Sequence, residues 1–308
     1  MGLFGRYRNT RFHLVDFITL GYAFVLALLI PFFASRIPGW YVYILVHVGY
    51  ITLALESIRK SEREPRNRLA AWIRMLHPGV VMIGAFLEIG KLQHMFAGSS
   101  WATPHLVALD LAVFGVHPTV WAKQFYQPWL DEIISFFRVF YYVVPILVLG
   151  PLLLADKRRE VLAAGAIVML AYTVNYILFF IFPAVNPRMV PEIAALDARE
   201  YSGYLFAALE HAIQGQQGAV AGASFPSAHV TGTVAFTLVA YRFLGRRVGH
   251  WYSLVCVGTV IGTVYMGFHH ASDPVGGVLV ALLTYPVTKW LLNKRGELPA
   301  PVDAEVYV

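Results

Sequence analysis

Residues 222–230 read GASFPSAHV and run directly into an apolar stretch that ends near residue 244. The apolar stretch predicts a membrane-spanning helix over residues 227–244. A helix entering lipid needs no serine, proline or histidine at its start, so these residues either cap the helix or face a polar group at the membrane surface. A helix start also presents unpaired N–H groups and a positive dipole end, which together bind phosphate well. Both interpretations remain open at this point.

The composition around this stretch is that of a membrane protein. Of the 308 residues, 58% are hydrophobic and 14% are charged, and the mean hydropathy is +0.60. A soluble domain of this size does not need so much apolar surface, whereas each bilayer crossing takes about 20 apolar residues. The basic N-terminus precedes a long apolar run without a small-residue cleavage site, which we interpret as a first span and not a removed signal peptide. We expect an all-α fold, a polytopic bundle of membrane helices.

Eight apolar runs are long enough to be predicted as spans. The third is the weakest, because Arg74, His77 and Glu88 interrupt it. The predicted spans cover roughly residues 14–33, 40–57, 69–90, 133–154, 160–182, 227–244, 251–268 and 274–292.

The basic residues orient these spans. Seventeen of the 24 Lys and Arg residues fall in the N-terminal arm, in alternate loops and at the C-terminal end, and five fall in the other loops. The positive-inside rule therefore predicts that both termini are cytoplasmic and that the sixth and eighth spans begin at the opposite face. The net charge of +6 resides in short loops between spans, which argues against a nucleic-acid partner.

We divide the chain into three parts. Residues 1–68 form a cytoplasmic arm and a helical hairpin, residues 69–292 a membrane core, and residues 293–308 a cytoplasmic tail. Within the core, the aromatic-rich residues 91–132 are expected to form short helices lying in the membrane interface. Residues 183–226 are rich in proline and glycine and are expected to form a flexible loop followed by a helix start.

A second polar motif follows the seventh span. Residues 264–277 read VYMGFHHASDPVGG, and the charge pattern places them at the same face as the start of the sixth span. His269 and Asp273 are four residues apart, so Asp273 can accept a hydrogen bond from one imidazole nitrogen and leave the other as a nucleophile. One histidine near one aspartate can equally be structural. Two such motifs at one face, together with Arg188, favour chemistry.

These residues resemble the membrane phosphatidic acid phosphatase superfamily. FPSAH resembles its P-S-G-H motif, and VYMGFHHASD resembles its S-R-x5-H-x3-D motif, with one helical hairpin between the two. FPAVNPRM, residues 182–189, resembles the first motif, K-x6-R-P, only loosely. The resemblance covers mainly residues 180–280 and implies a six-helix catalytic core within the bundle.

The sequence also departs from the family pattern. Ala228 stands where the family has glycine, and Met189 where it has proline after Arg188. The family's lysine falls on Ile181 and its arginine on Thr263, so two cations expected around the phosphoryl group are missing. A phosphomonoester dianion needs more compensating charge than a phosphodiester monoanion. We therefore expect transfer of a substituted phosphoryl group, as in the inositol phosphorylceramide synthase branch.

Four other residues could supply the missing charge. We name Arg138 and Lys91 as further phosphate ligands, and His94 or His270 could also contribute. Glu88 and Lys91 lie three apart and could instead pair with each other.

The resemblance implies a role for each motif residue. His269 attacks phosphorus and becomes a phosphohistidine, Asp273 orients it, and His229 protonates the leaving oxygen and then deprotonates the acceptor. Ser227 and Arg188 hold the non-bridging oxygens. No metal or cofactor is expected. The expected partners are a membrane phospholipid donor and a lipid or alcohol acceptor.

Other readings stay open. Water as the acceptor would make the chain a lipid phosphate phosphatase. A transporter would need polar residues at mid-depth and paired repeats, and a non-catalytic scaffold is compatible with the missing cations. Asp110 and Asp131 are expected to be solvated interface residues, and Cys256 a buried small hydrophobe.

Overall fold

The computed structural model describes residues 7, 10–64, 66–96, 100–196, 203–217 and 222–302, without the side chains of His94 and residues 214–217. In these residues the chain is helical, without a β-strand beyond one isolated bridge between Ala184 and Ala223. The all-α prediction is confirmed. The α-helices are α1 (Leu14–Leu29), α2 (Trp40–Arg63), α3 (Arg68–Leu92), α4 (Thr103–Phe114), α5 (Pro118–Ala122), α6 (Pro128–Leu154), α7 (Arg158–Ile181), α8 (Pro191–Leu196), α9 (Leu205–Gln217), α10 (Ala228–Phe243), α11 (Arg246–Tyr265) and α12 (Ser272–Lys294).

Seven helices in the described residues are long and apolar enough to cross a membrane, namely α1 extended to Arg36, α2, α3, α6, α7, α11 and α12. The remaining predicted span is α10, whose 16 residues make it about 24 Å long. Each predicted span thus has a helix. The polytopic helical bundle is confirmed.

One end of the bundle, which we call the terminal end, joins both ends of the described chain. The backbone N–H of Leu14 donates to Oε2 of Glu297 at 2.8 Å, and Nη2 of Arg295 donates to the carbonyl of Phe12 at 2.7 Å. Arg242, in the last turn of α10, donates from Nη2 to the carbonyl of Pro299 at 2.7 Å. Helix α10 therefore finishes at the terminal end.

The other end, which we call the site end, contains the end of α7 and the starts of α10 and α12. Asn175 of α7 donates from Nδ2 to the carbonyl of Pro226 at 3.2 Å. The N–H of Ser227 donates to the carbonyl of Asp273 at 3.0 Å. The two polar motifs therefore meet at one end, and α10 runs between the same two ends as the long helices.

Helix α10 lies in the centre of the bundle, in contact with α6, α7, α11 and α12. Small residues let the helix axes approach closely. A Cβ added at Gly232 would overlap the phenol of Tyr172 on α7. A Cβ added at Gly258 of α11 would likewise overlap the ring of Phe137 on α6. The glycines are thus packing positions that fix how α10 and α11 sit against their neighbours.

A polar network joins α1, α2 and α3 near the terminal end. Arg74 donates from Nη2 to Oδ2 of Asp16 at 3.1 Å and also pairs with Glu62. The Tyr50 hydroxyl lies 2.8 Å from Nδ1 of His77. Intramembrane charges are expensive unless paired, and this network pairs them.

The polar residues nearer the other end of α3 have a different arrangement from the one considered in the sequence. Glu88 lies 3.5 Å from Nε2 of His47 on α2, and no Glu88–Lys91 ion pair forms among the described contacts. The pairing of Glu88 with Lys91 is therefore wrong.

The segment expected at the membrane interface contains short helices, as predicted. Helix α4 is followed by a second helical stretch, Pro118–Phe125, and the two are bent by 56°. Their position at the interface stays a prediction. The loop predicted over residues 183–226 is only partly a loop, because α8 and α9 lie within it. Residues 197–202 and 218–221, and the tail beyond residue 302, lie outside the described residues.

Candidate active site

The start of α10 is built by the FPS segment. Ser227 is the N-cap, with extended backbone, and its Oγ accepts from the N–H of Val230 at 3.4 Å. Ser227 is fully buried. Ser227 therefore caps α10, as one of the two interpretations of the sequence expects. His229, two residues later, lies in the first turn of the helix.

Asp273 fixes the second motif. Its Oδ2 lies 3.1 Å from Nδ1 of His269, and it also accepts from the N–H of His270 at 3.0 Å and the hydroxyl of Ser224 at 2.6 Å. Asp273 is fully buried. A carboxylate beside Nδ1 favours the tautomer with the proton on that nitrogen, which leaves the Nε2 lone pair of His269 free to act as a nucleophile.

The two candidate catalytic histidines face each other across the starts of α10 and α12. The ring centroids of His229 and His269 are 6.2 Å apart, with the ring planes at 66°. His229 also packs against Tyr141, with centroids 4.6 Å apart, and against Tyr142 at 6.1 Å. A phosphorus atom between the two rings would lie within reach of a nucleophile on one side and a proton donor on the other.

Two guanidinium groups flank the histidines. The central carbon of Arg138 and that of Arg188 each lie 4.2 Å from the ring centroid of Phe268, the residue before His269. Cation–π contact holds both guanidinium groups close to the nucleophile. Arg138 also donates from Nε to Oε1 of Glu210 at 2.8 Å. Its Nη1 is buried without a hydrogen-bond partner in the described residues, which leaves a donor for a phosphoryl oxygen.

Residues 104–287, more than half of the chain, match the family described as the PAP2 superfamily. The chain belongs to the PAP2 superfamily. A search of characterised proteins finds undecaprenyl-diphosphatase BcrC of Bacillus subtilis strain 168, which is 27% identical over 159 residues, covering 50% of this chain and 70% of that protein. No solved structure matches the chain. The family and this relative identify the chain as a membrane enzyme of the lipid phosphate phosphatase class.

The PAP2 superfamily match begins in α4, so it contains both histidine motifs, Arg138 and Arg188 and omits α1, α2 and α3. Lys91, at the end of α3, is exposed and has no described contact with the site residues. The structure thus brings six of the seven predicted site residues together, whereas Lys91 lies at the same end of the bundle without a described contact with them. The side chain of His94 lies outside the described part of the chain.

Arg138 lies beside the position where the PAP2 superfamily pattern has an arginine and this chain has Thr263. A Cβ added at Gly262, the residue before Thr263, would lie 3.1 Å from Cγ of Arg138. The absence of a side chain at Gly262 therefore makes room for Arg138, which reaches the site from α6.

The expectation that Asp110 and Asp131 are solvated is wrong. Asp110 is 3% exposed and accepts from the N–H groups of Ala271 and Ser272 at 2.9 and 3.3 Å, so it caps the start of α12. Asp131 is 2% exposed and accepts from the Tyr265 hydroxyl at 2.8 Å. Because these pairs join residues more than 130 positions apart, no local sequence pattern reveals them.

An apolar cavity of about 230 Å³ leads to His229 from between α3, α6 and α7. Tyr141, Tyr142 and Tyr172 line it near the histidine. Farther out, its walls are apolar residues of α3 such as Met82 and Phe86. A cavity of this kind suits the hydrocarbon part of a lipid, with the phosphate at the histidines.

Proposed function

We propose that this enzyme cleaves a lipid phosphoester through a phosphohistidine formed on His269. The observation that supports the proposal best is the facing pair of His229 and His269, with His269 Nδ1 held by Asp273. Nε2 of His269 would attack phosphorus while the bond from phosphorus to the lipid oxygen breaks. His229, protonated, would give its proton to that oxygen, so that the leaving group departs as a neutral alcohol.

The second half of the reaction reverses these roles. Neutral His229 would take a proton from the acceptor, whose oxygen attacks phosphorus as the bond from phosphorus to His269 breaks. Arg188 and Nη1 of Arg138 would hold the non-bridging oxygens in both steps. Ser227 would hold an oxygen as well, because its hydroxyl accepts from the N–H of Val230 through a lone pair and keeps its own O–H as a donor.

We propose further that the transferred group is a substituted phosphoryl, so that the enzyme moves a phospho-headgroup from a membrane phospholipid to a lipid or alcohol. The support is the absence of the two cations that the family pattern has at the positions of Ile181 and Thr263, which leaves less positive charge for a dianion. Arg138, beside Thr263, would replace one of the two. This is the activity that the resemblance to the inositol phosphorylceramide synthase branch implies.

The second candidate is hydrolysis, with water as the acceptor. It is favoured by the similarity to undecaprenyl-diphosphatase BcrC, whose name describes cleavage of a lipid diphosphate. Lipid alcohol carrying the labelled headgroup would support transfer, and release of the headgroup phosphate to water would support hydrolysis.

We place the site on the non-cytoplasmic side of the membrane, with both termini in the cytoplasm. The support is the distribution of Lys and Arg, seventeen against five. The seventeen include the basic residues of the terminal end, which lies opposite the histidines.

Trapping the intermediate tests the phosphohistidine directly. Purified protein in lipid nanodiscs is incubated with a phospholipid labelled in its phosphate, quenched in alkali and examined for protein-bound label that acid removes. We expect such label on wild type and none on His269→Ala. On His229→Ala we expect the label to form more slowly and also to be lost more slowly, because the first step lacks its acid and the second its base. Turnover without label on wild type, or label that persists in His269→Ala, would contradict the mechanism.

A further inference from the structure

Glu210 is a carboxylate of the site that none of the family motifs includes. It lies on α9, within the segment that the sequence predicts as a loop. The start of α9 is fixed by Glu132 of α6, whose carboxylate accepts from the N–H groups of Tyr204, Phe206 and Ala207 at 2.9, 2.8 and 3.2 Å. Three amides on one carboxylate hold the first turn of α9 over the site.

From the second turn of α9, Glu210 reaches the guanidinium that the mechanism assigns to the phosphoryl group. Oε1 of Glu210 lies 2.8 Å from Nε of Arg138, and the side chains of Glu210 and Arg138 are 2% and 1% exposed. An ion pair so far from water is screened very little, so the charge of Glu210 acts at full strength on anything that binds Arg138.

The charges around the histidines decide which anion can bind. In the described part of the chain, the guanidinium groups against Phe268 are those of Arg138 and Arg188. The carboxylates that contact Arg138, His269 or His270 there are Glu210, Asp273 and Asp110. Asp273 is paired with His269 and Asp110 caps the start of α12, whereas Glu210 contacts Arg138, the proposed ligand of the phosphoryl group. A terminal phosphate carries nearly two negative charges near neutral pH, whereas a phosphodiester carries one. Repulsion by Glu210 therefore disfavours the terminal phosphate more strongly.

We propose that Glu210 determines substrate specificity by excluding terminal phosphomonoesters and accepting a hydrogen bond from a hydroxyl or ammonium group on a phosphodiester headgroup. This inference rests on the proposed function and assigns its substrate class. In this arrangement Nη1 of Arg138 donates to the phosphoryl oxygen. The carboxylate of Glu210 still accepts from Nε of Arg138 and also accepts from the hydroxyl or ammonium group of the headgroup. Such a substituent offers Glu210 a hydrogen-bond donor, whereas a terminal phosphate brings a second negative charge close to its carboxylate.

The test compares two lipids that share the same leaving group. Phosphatidic acid is a monoester and phosphatidylglycerol a diester with headgroup hydroxyls, and attack on phosphorus releases diacylglycerol from both. Diacylglycerol release is measured from each lipid in the same mixed micelles. We expect Glu210→Gln to raise the ratio of kcat/KM for phosphatidic acid to that for phosphatidylglycerol by about tenfold or more.

Glu192→Gln is the matched control, because it makes the same change in an exposed carboxylate of α8 that has no described contact with Arg138. We expect it to leave the ratio unchanged. An equal effect of Glu210→Gln on both lipids would overturn the proposal in favour of a purely structural role, and an equal shift of the ratio in Glu192→Gln would overturn it as well.

A binding measurement separates this proposal from the proposed function. If wild type releases diacylglycerol from neither lipid, the proposed headgroup transfer from phospholipids fails. Binding of inorganic phosphate, measured by its effect on thermal unfolding, then decides the role of Glu210. We then expect Glu210→Gln to bind phosphate about tenfold more tightly than wild type. Equal affinity of Glu210→Gln and wild type would overturn the charge-selection proposal.

Discussion

At the scale of single residues, the two histidine motifs could be located from the sequence because each motif is local. His269 and Asp273 are four residues apart, and the contact between them follows from that spacing. The partners that join the motifs could not be located. Ser224 and Asp273 are 49 residues apart and Arg138 and Glu210 are 72 apart, so only the fold brings each pair together.

Asp273 is expected to act by orienting His269. In Asp273→Asn the amide can present its N–H to Nδ1, which places the proton of His269 on Nε2 and removes the nucleophilic lone pair. We expect kcat to fall by roughly 10²–10⁴-fold with a smaller change in KM. Steady-state kinetics on the preferred lipid measures both constants.

Ser224→Ala is the control for this change, because it removes a hydrogen bond to the same carboxylate oxygen and keeps the charge. We expect a much smaller loss of kcat than in Asp273→Asn. Equal losses in the two variants would show that Asp273 serves only to hold the FPS segment.

At the scale of elements, the apolar runs predict the membrane helices. The sequence analysis does not predict the helix at residues 205–217. Leu205, Leu209 and Ile213 recur at intervals of four, which is a helical period, but the surrounding glycines and prolines dominated the interpretation. Glu210 was missed with it. A segment between spans folds into a helix when one of its faces packs on the bundle, and α9 packs on α6.

The contact between α10 and α7 gives a prediction for Gly232. Gly232→Ala forces its methyl group into Tyr172, and we expect a loss of stability of about 1–3 kcal/mol. Thermal unfolding of the purified protein in detergent measures the loss.

Gly49→Ala is the matched control, because Gly49 lies inside α2 with nothing within 4 Å of an added Cβ. We expect no loss there and a gain of up to about 1 kcal/mol, since alanine favours the helix over glycine. A Gly232→Ala protein as stable as Gly49→Ala would mean that α10 and α7 are less closely packed than described.

At the scale of the whole molecule, the number of crossings follows from hydropathy and the arrangement of the two ends follows from the fold. The basic residues predict which end is cytoplasmic, and this orientation can be tested without any knowledge of the substrate. Val116, beyond α4 near the site, is 44% exposed, and Asp156, between α6 and α7 at the other end, is also exposed.

Cysteine labelling in intact cells reads out this orientation. In a background with Cys256→Ala, we expect Val116→Cys to react with a membrane-impermeant maleimide and Asp156→Cys to react only after the membrane is permeabilised. The reverse pattern would place the histidines on the cytoplasmic side. Labelling of both positions in intact cells would indicate leaky cells. Labelling of a cytosolic protein by the same impermeant reagent would reveal such leakage.

The hydrogen bond from Leu14 to Glu297 joins residues 283 positions apart and has a consequence for biogenesis. While the ribosome is still making the protein, α1 can enter the bilayer before Glu297, the protein acceptor of its leading amide, has been made. The hydrogen bond to Glu297 can form only after α12 has been synthesised and residues 295–299 have emerged. Helix α1 is therefore among the last elements to complete its native contacts, although it is made early.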